Sequence, residues 1–249
     1  MDELSAIQLV TVGATFLCAG AVKGVTGMGL PTVAMAVLGA VISPLAAASL
    51  LIVPSFVTNL WQFLVGPSCL SIVRRLWPMM LAITFTTMLS AGLLVAGDTR
   101  TTTAALGASL IVYAGYTLFA RPLEVPRANE TWLSPLMGGA TGLVTGGTGI
   151  LVIPAVPYLQ SLALGRDELI QALGLSFAVS TLAMAAGLGI HGAYSVQGIG
   201  ASILAVLPAL AGMWAGQKLR KRIDPVLFRR LFLASLGLLG AEMLGRAFW

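Results

Sequence analysis

Two stretches decide how this chain is read. The first is Gly20-Ala21-Val22-Lys23-Gly24-Val25-Thr26-Gly27-Met28-Gly29-Leu30-Pro31, and the second is Gly139-Ala140-Thr141-Gly142-Leu143-Val144-Thr145-Gly146-Gly147-Thr148-Gly149-Ile150, followed by Pro154. Each lies near the start of one half of a sequence that otherwise reads as membrane helix. Glycine costs a helix about 1 kcal/mol relative to alanine, so this density predicts an opened backbone at both places. In lipid, opened backbone persists only where protein buries it or a cavity solvates it, because each unpaired N–H or C=O is expensive. Paired breaks at corresponding positions of two halves point to the binding site of a transporter.

The composition fits a membrane protein. Of 249 residues, 57% are hydrophobic and 9% are charged, whereas a soluble domain carries about 25% charged residues. The mean hydropathy is +0.94. A net charge of +5 does not imply nucleic acid here: the basic residues fall in short loops between apolar spans, with no basic groove of interleaved aromatics. Their simpler meaning is orientation in the bilayer. Cys18 and Cys69 are far apart and lack metal-ligand spacing, so they read as packing residues; no disulfide, metal or cofactor is expected. Asp2 and Glu3 are not the basic n-region of a signal peptide, so the first apolar run is expected to stay in the mature protein.

Ten apolar segments can be traced, at roughly 4–22, 30–43, 45–65, 76–97 and 102–120 in the first half and 132–146, 150–164, 169–190, 198–217 and 226–246 in the second. A full crossing needs about 20 residues, so 30–43 and 150–164 are the candidates for broken or re-entrant helices. The most polar stretch, 121–131 with Arg121, Pro122, Glu124, Pro126, Arg127 and Glu130, reads as a cytoplasmic linker. It would separate an N-terminal membrane repeat, 1–120, from a C-terminal one, 132–249. Ser55-Phe56 and Gly66 recur as Ser176-Phe177 and Gly187, each offset by 121 positions.

With the N-terminus outside, inner loops collect Lys23, Arg74, Arg75, Arg121, Arg127, Arg166, Lys218, Arg220, Lys221, Arg222, Arg229 and Arg230, and the outer side keeps Arg100 and Arg246. The loop after the third segment is basic where its mate, 190–197, has no formal charge, and the loop after the fourth is nearly neutral where its mate is strongly basic. Two halves of five segments inserted in opposite orientation produce that exchange, so the expected architecture is an all-α polytopic inverted repeat.

The chemistry expected at the breaks suits anions. Of nine carboxylates only Glu242 falls within an apolar segment, which argues against a cation substrate. Glycines free backbone N–H groups, and a helix starting after each break presents a partial positive charge. The substrate-binding candidates are therefore Gly24, Thr26, Gly27 and Gly29 in the first break and Thr145, Gly146, Gly147, Thr148 and Gly149 in the second. Lys23 is the one cation within a break; it is either a direct ligand of the anion or a lysine that snorkels to the inner interface, the commoner fate at a helix end. Its mate is expected near Thr141 or Gly142. Ser55, Thr58, Asn59 and Gln62 share one helical face, and Ser176, Ser180 and Thr181 occupy the matching region. Asn59, Ser176 and Ser180 join the candidates, against the plain reading that such residues hydrogen-bond between helices. Trp61, Trp77, Trp132, Trp214 and Trp249 read as interface anchors or packing.

At Lys23-Gly24-Val25-Thr26-Gly27-Met28-Gly29 and at Gly142-Leu143-Val144-Thr145-Gly146-Gly147-Thr148-Gly149-Ile150-Leu151-Val152-Ile153-Pro154 the sequence resembles the TauE/SafE sulfite exporter family, also described as toluene-sulfonate uptake permeases. The first copy departs from the motif at Met28, where a glycine is expected. The resemblance implies a multi-pass transporter of the bacterial inner membrane that exports sulfite or small organosulfonates by alternating access. Its partners would be a small anion and the lipid bilayer, not nucleic acid, and a single chain and a homo-oligomer are both compatible with it. Two rivals remain at this point. A passive anion channel would use the same dipoles, and an intramembrane hydrolase would need His191 to act with Tyr194 and Ser195, an arrangement that nothing else in the sequence supports.

Overall fold

The computed structural model describes residues 6–120, 124–193, 196–220 and 222–247. Arg121, Pro122, Tyr194, Ser195, Lys221 and Trp249 lie outside the described residues. Among the described residues every regular element is a helix: α1 (Ala6–Thr26), α2 (Leu30–Val41), α3 (Pro44–Leu64), α4 (Cys69–Ala96), α5 (Thr99–Phe119), α6 (Arg127–Thr148), α7 (Ala155–Ser161), α8 (Arg166–Ile190), α9 (Val196–Leu204), α10 (Val206–Leu219) and α11 (Pro225–Arg246). Six spans are long and apolar enough to cross a membrane: those of α1, α3, α4, α5 and α8, and the stretch Ile199–Leu219 made by α9 and α10 together. The chain is a multi-pass membrane protein. Helices α9 and α10 part at Ala205 because Pro208 brings no N–H and its ring crowds the Leu204 carbonyl.

Several expected boundaries move. Helix α1 runs on to Thr26, so Lys23 and Gly24 are helical and not in a loop or an opened backbone. Helix α4 begins at Cys69, which takes Cys69, Arg74 and Arg75 out of the loop. Helix α6 begins at Arg127, inside the stretch read as linker, and ends only at Thr148, so Thr145, Gly146, Gly147 and Thr148 are helical too. Residues 150–154 precede α7 without helix. The mirrored glycines also differ: Gly187 lies within α8, but Gly66 lies beyond α3.

Six of the nine glycines in the two quoted stretches lie within helices and do not open the backbone, and four of these, Gly20, Gly24, Gly142 and Gly146, pack helices together. Gly20 and Gly24 of α1 meet Gly212 and Gly216 of α10 so closely that a Cβ at Gly24 would stand 2.8 Å from the Gln217 nitrogen and 2.9 Å from the Gly216 Cα. On α6, Gly138, Gly142 and Gly146 lie in the same way on Met79, Ile83 and Thr87 of α4, where Ser90 Oγ donates to the Gly142 carbonyl at 3.1 Å. Small residues at four-residue spacing bring helix backbones together, which matters in lipid because no hydrophobic force drives helices into contact there.

The registers fix direction. Leu17 faces Gly212 and Ala21 faces Gly216, so α1 and α10 run parallel; Met79 faces Gly138 and Thr87 faces Gly146, so α4 and α6 do too. Helices α3 and α8 are antiparallel, since Ser55 meets Thr181 and Gln62 meets Ile170. Helices α5 and α11 are also antiparallel, with Gly107 near Leu244 and Ala114 near Gly237. These directions gather Lys23, Arg74, Arg75, Arg127, Arg166, Lys218, Arg220, Arg222, Arg229 and Arg230 at one end of the bundle and leave Arg100 and Arg246 at the other.

Candidate functional site

Three glycines do leave the helix. Gly27 (φ 82°), Gly29 (φ 103°) and Gly149 (φ 77°) adopt the left-handed backbone that residues with a Cβ avoid. A threonine closes each break in the same way. Thr26 Oγ1 stands 2.9 Å from the Val22 carbonyl and accepts the Met28 N–H at 3.2 Å. Thr148 Oγ1 donates to the Val144 carbonyl at 2.7 Å and accepts the Ile150 N–H at 3.3 Å. Superposing these two caps offsets the halves by 122 positions, which pairs Gly20 with Gly142, Gly24 with Gly146 and Gly27 with Gly149. On this offset Lys23 aligns with Thr145, three positions from the Thr141 or Gly142 region in which its mate is expected from the sequence.

Lys23 does not snorkel. Its side chain is 3% exposed and turns inward to α3, where Nζ donates to Thr58 Oγ1 at 3.2 Å and to Asn59 Oδ1. The chain of bonds continues: Asn59 Nδ2 donates to Ser55 Oγ at 3.0 Å, and Ser55 Oγ lies 3.0 Å from Thr181 Oγ1 on α8. Helix α3 makes this possible because its polar residues recur at positions 55, 58, 59 and 62, on the side facing α1 and α8. Among the described residues no carboxylate lies within ion-pairing distance of Lys23.

Lys23 lies at the floor of a cavity of about 470 Å³ that opens at the basic end of the bundle. The buried Gly24 and Thr58 lie beside Lys23, Gly27 lines the space one turn further on, Gln62, Gln171 and Gln217 supply amides along the walls, and Asp167 and Arg220 flank the opening. A Cβ at Gly27 would meet open space. Gln171 was not legible as a site residue: it is fully buried, its Nε2 donates to the Phe63 carbonyl at 2.7 Å, and its Oε1 accepts the Ser68 N–H at 2.9 Å. It thereby fastens the end of α3 to the start of α8. Trp61, read as an interface anchor, is 64% exposed and forms part of the cavity rim.

The structure therefore brings Lys23, Gly24, Gly27 and, through Lys23, Asn59 to one cavity, and leaves the other candidates elsewhere. The hydroxyls of Thr26, Thr145 and Thr148 are engaged by backbone around the breaks, Thr145 Oγ1 donating to the Ile150 carbonyl at 3.0 Å. Gly146 packs on α4, and Gly147 faces only the side chain of Leu93. Gly29 caps α2 against Val22 and Phe232. Gly149 faces Met35 and Ala48 and borders a space of only about 10 Å³, shared with Thr181 and Met184, at the matching position of the second half. Ser176 and Ser180 are buried in α8, and their hydroxyls have no hydrogen-bond partner among the described residues. His191 caps α8, with Nδ1 2.8 Å from the Gly187 carbonyl. Both cysteines are free, and among the described residues no group of three or more His, Cys, Asp or Glu side chains is placed to hold a metal.

The family model described as sulfite exporter TauE/SafE matches residues 12–243, nearly the whole chain. No curated protein sequence and no solved structure matches significantly.

Proposed function

The chain belongs to the sulfite exporter TauE/SafE family, and on that premise we propose that it carries small sulfur-containing anions, sulfite or organosulfonates, out of the cytoplasm across a bacterial inner membrane, with the Lys23 ammonium as the anion-binding group. The observation that carries this reading is a buried lysine with only uncharged partners, Thr58 and Asn59, at the floor of a cavity. An ammonium withdrawn from water without a counter-charge is costly, and an arriving oxyanion supplies the missing charge. Cavities of several hundred Å³ hold organic ligands, so this one has room for a sulfonate with its organic substituent as well as for sulfite.

Alternating access between two inverted halves is supported by the pairings. Exchanging the halves turns the parallel pair of α1 and α10 into the parallel pair of α6 and α4, pointing the opposite way, and maps the antiparallel pairs α3 with α8 and α5 with α11 onto themselves. A two-fold axis in the membrane plane has that effect. The basic end is the cytoplasmic one by the positive-inside rule, so the roomy cavity faces inward while its counterpart at Gly149 is nearly filled. That asymmetry favours a transporter caught with one gate closed over a continuously open channel.

The test is sulfite flux in proteoliposomes. Lys23→Arg should keep part of the flux, and Lys23→Ala should weaken sulfite affinity roughly thirtyfold to a thousandfold, the equivalent of about 2–4 kcal/mol for one charge pair at partial screening. Wild-type vesicles preloaded with sulfite should show counterflow. A folded Lys23→Ala protein with unchanged affinity removes Lys23 from the site, and the absence of counterflow in the wild type moves the reading to a channel.

A further inference from the structure

A second cavity of about 370 Å³ lies at the basic end on the opposite side of the first break. Arg220 at the end of α10 and Arg229 and Arg230 in the first turns of α11 converge on it, and Tyr113 and Thr117 of α5 face them across it. None of the three arginines has an ion-pair partner among the described residues, and no carboxylate lines the space. Among the described residues the Tyr113 hydroxyl has only a weak contact, 3.9 Å to the Met28 sulfur. Apart from Thr26, the remaining wall is apolar, including Val25, Leu118 and Phe232. Large apolar side chains stand exposed at the same level, where α5, α10 and α11 begin or end: Phe119 is 86% exposed, Val226 60% and Leu227 56%.

We propose that this cavity is a binding site for the phosphate of an anionic phospholipid headgroup, with Arg220, Arg229 and Arg230 as its ligands. Guanidinium groups match phosphate geometrically and are weakly hydrated, so three without carboxylates form an anion site. The exposed apolar rim is what selects a lipid over a soluble anion: acyl chains cover Phe119, Val226 and Leu227, and a free phosphate leaves them bare. Basic pockets between membrane helices near the cytoplasmic face bind acidic headgroups for this reason. Arg220 lines both cavities, and the break segment runs between them, with Lys23, Gly24 and Gly27 on the first and Val25, Thr26 and Met28 on the second. A headgroup here therefore neutralises a charge at the opening and braces the glycine break from behind.

The experiment is native mass spectrometry of the full chain in micelles doped with phosphatidylglycerol or phosphatidylcholine. The wild type should retain phosphatidylglycerol at concentrations at least tenfold below those needed for phosphatidylcholine. The double variant Arg229→Gln/Arg230→Gln should lose that preference, while Arg222→Gln, an exposed basic residue of the same end that does not line the cavity, should keep it. Retention of the preference by the double variant, or an equal loss in Arg222→Gln, overturns the proposal in favour of unspecific surface attraction. Displacement of the lipid from wild type by about 10 mM inorganic phosphate overturns it in favour of a free-anion site. If the double variant does not stay monodisperse, the wild type decides: equal retention of phosphatidylglycerol and phosphatidylcholine refutes the site, and a tenfold preference that resists phosphate upholds it.

Discussion

Gly146 and Gly147 are neighbours in one motif, and replacing each by alanine should have effects of opposite sign. A Cβ at Gly146 would lie 2.6 Å from the Thr87 carbonyl oxygen and 2.8 Å from the Ala91 nitrogen, about 0.6–0.8 Å inside the near edge of ordinary contact at 3.4 Å. The Ser90 hydroxyl stands closer still and can turn to another rotamer, but the other two obstacles are backbone of α4 and cannot, so the two helices have to part. Overpacking of this kind costs typically 1–3 kcal/mol, and a gap of that width forfeits a quarter to a half of each dispersion contact along the seam. We take about 3 kcal/mol, set against about 1 kcal/mol gained in helix propensity, and expect a net loss of about 2 kcal/mol for Gly146→Ala. A Cβ at Gly147 meets only Leu93 Cδ1, at 3.9 Å, so Gly147→Ala keeps the propensity gain and should stabilise the helix by up to about 1 kcal/mol. The assay is reversible unfolding in micelles followed by helix circular dichroism, with sulfite flux measured on the same preparations. The two variants should differ by roughly 3 kcal/mol in stability, and Gly147→Ala should transport. If both lose stability equally, the close α4–α6 seam is wrong. If Gly147→Ala folds but does not transport, Gly147 contacts the anion after all and the separation of packing from binding glycines fails.

Two further outcomes test the supports around the site. Arg75 grips Glu130 through Nε at 2.8 Å and a second nitrogen at 2.6 Å and also donates to the Leu162 carbonyl at 3.0 Å, tying α4 to α6 and to the end of α7; Glu130→Ala should cost about 1–3 kcal/mol in micelle unfolding, and an unchanged midpoint would make the pair incidental. Asp98 caps α5 by accepting the Thr101 N–H at 2.9 Å, and the Thr101 hydroxyl and this N–H, in that order of effect, hold its carboxyl below the ordinary value of 3.8. Its contribution is therefore complete above that value and is lost as pH falls through the lowered one, so wild type and Asp98→Asn should converge in stability under acid and diverge towards neutrality. A difference between them that does not change with pH counts against the cap.

Much of the fold was legible because membrane helices are local objects. Length, apolarity and the lack of interior charge located the spans around Leu50, Leu110 and Phe177 within a few residues, since each segment must satisfy its own backbone in lipid whatever its neighbours do. The short second segment and the interruption before α7 were legible for the same reason, and so was the clustering of arginines at one end. The site was only partly so. Asn59 and Thr58 announced themselves by helical spacing, but nothing in the sequence chose between a snorkelling Lys23 and a buried one; the choice depends on α3 lying beside α1, which is a tertiary fact.

Glycine content by itself could not tell a bend from a seam. The sequence established that two equivalent glycine-rich places exist, at Gly20–Gly29 and Gly139–Gly149, because propensity is a property of each residue. Which glycines bend the chain and which admit a neighbour was decided by distant partners: Gly24 by Gly216, Gly146 by Thr87, and Gly27 and Gly149 by having threonine caps that end the helix just before them. The sequence likewise placed arginines 220, 229 and 230 at one membrane face, but only the packing of α10 against α1 and of α11 against α5 turned three solvated charges into one walled cavity. Helix formation is settled by hydrogen bonds four residues apart, whereas seams, cavities and the burial of a charge are settled by residues a hundred or more positions away, and only the folded chain brings those together.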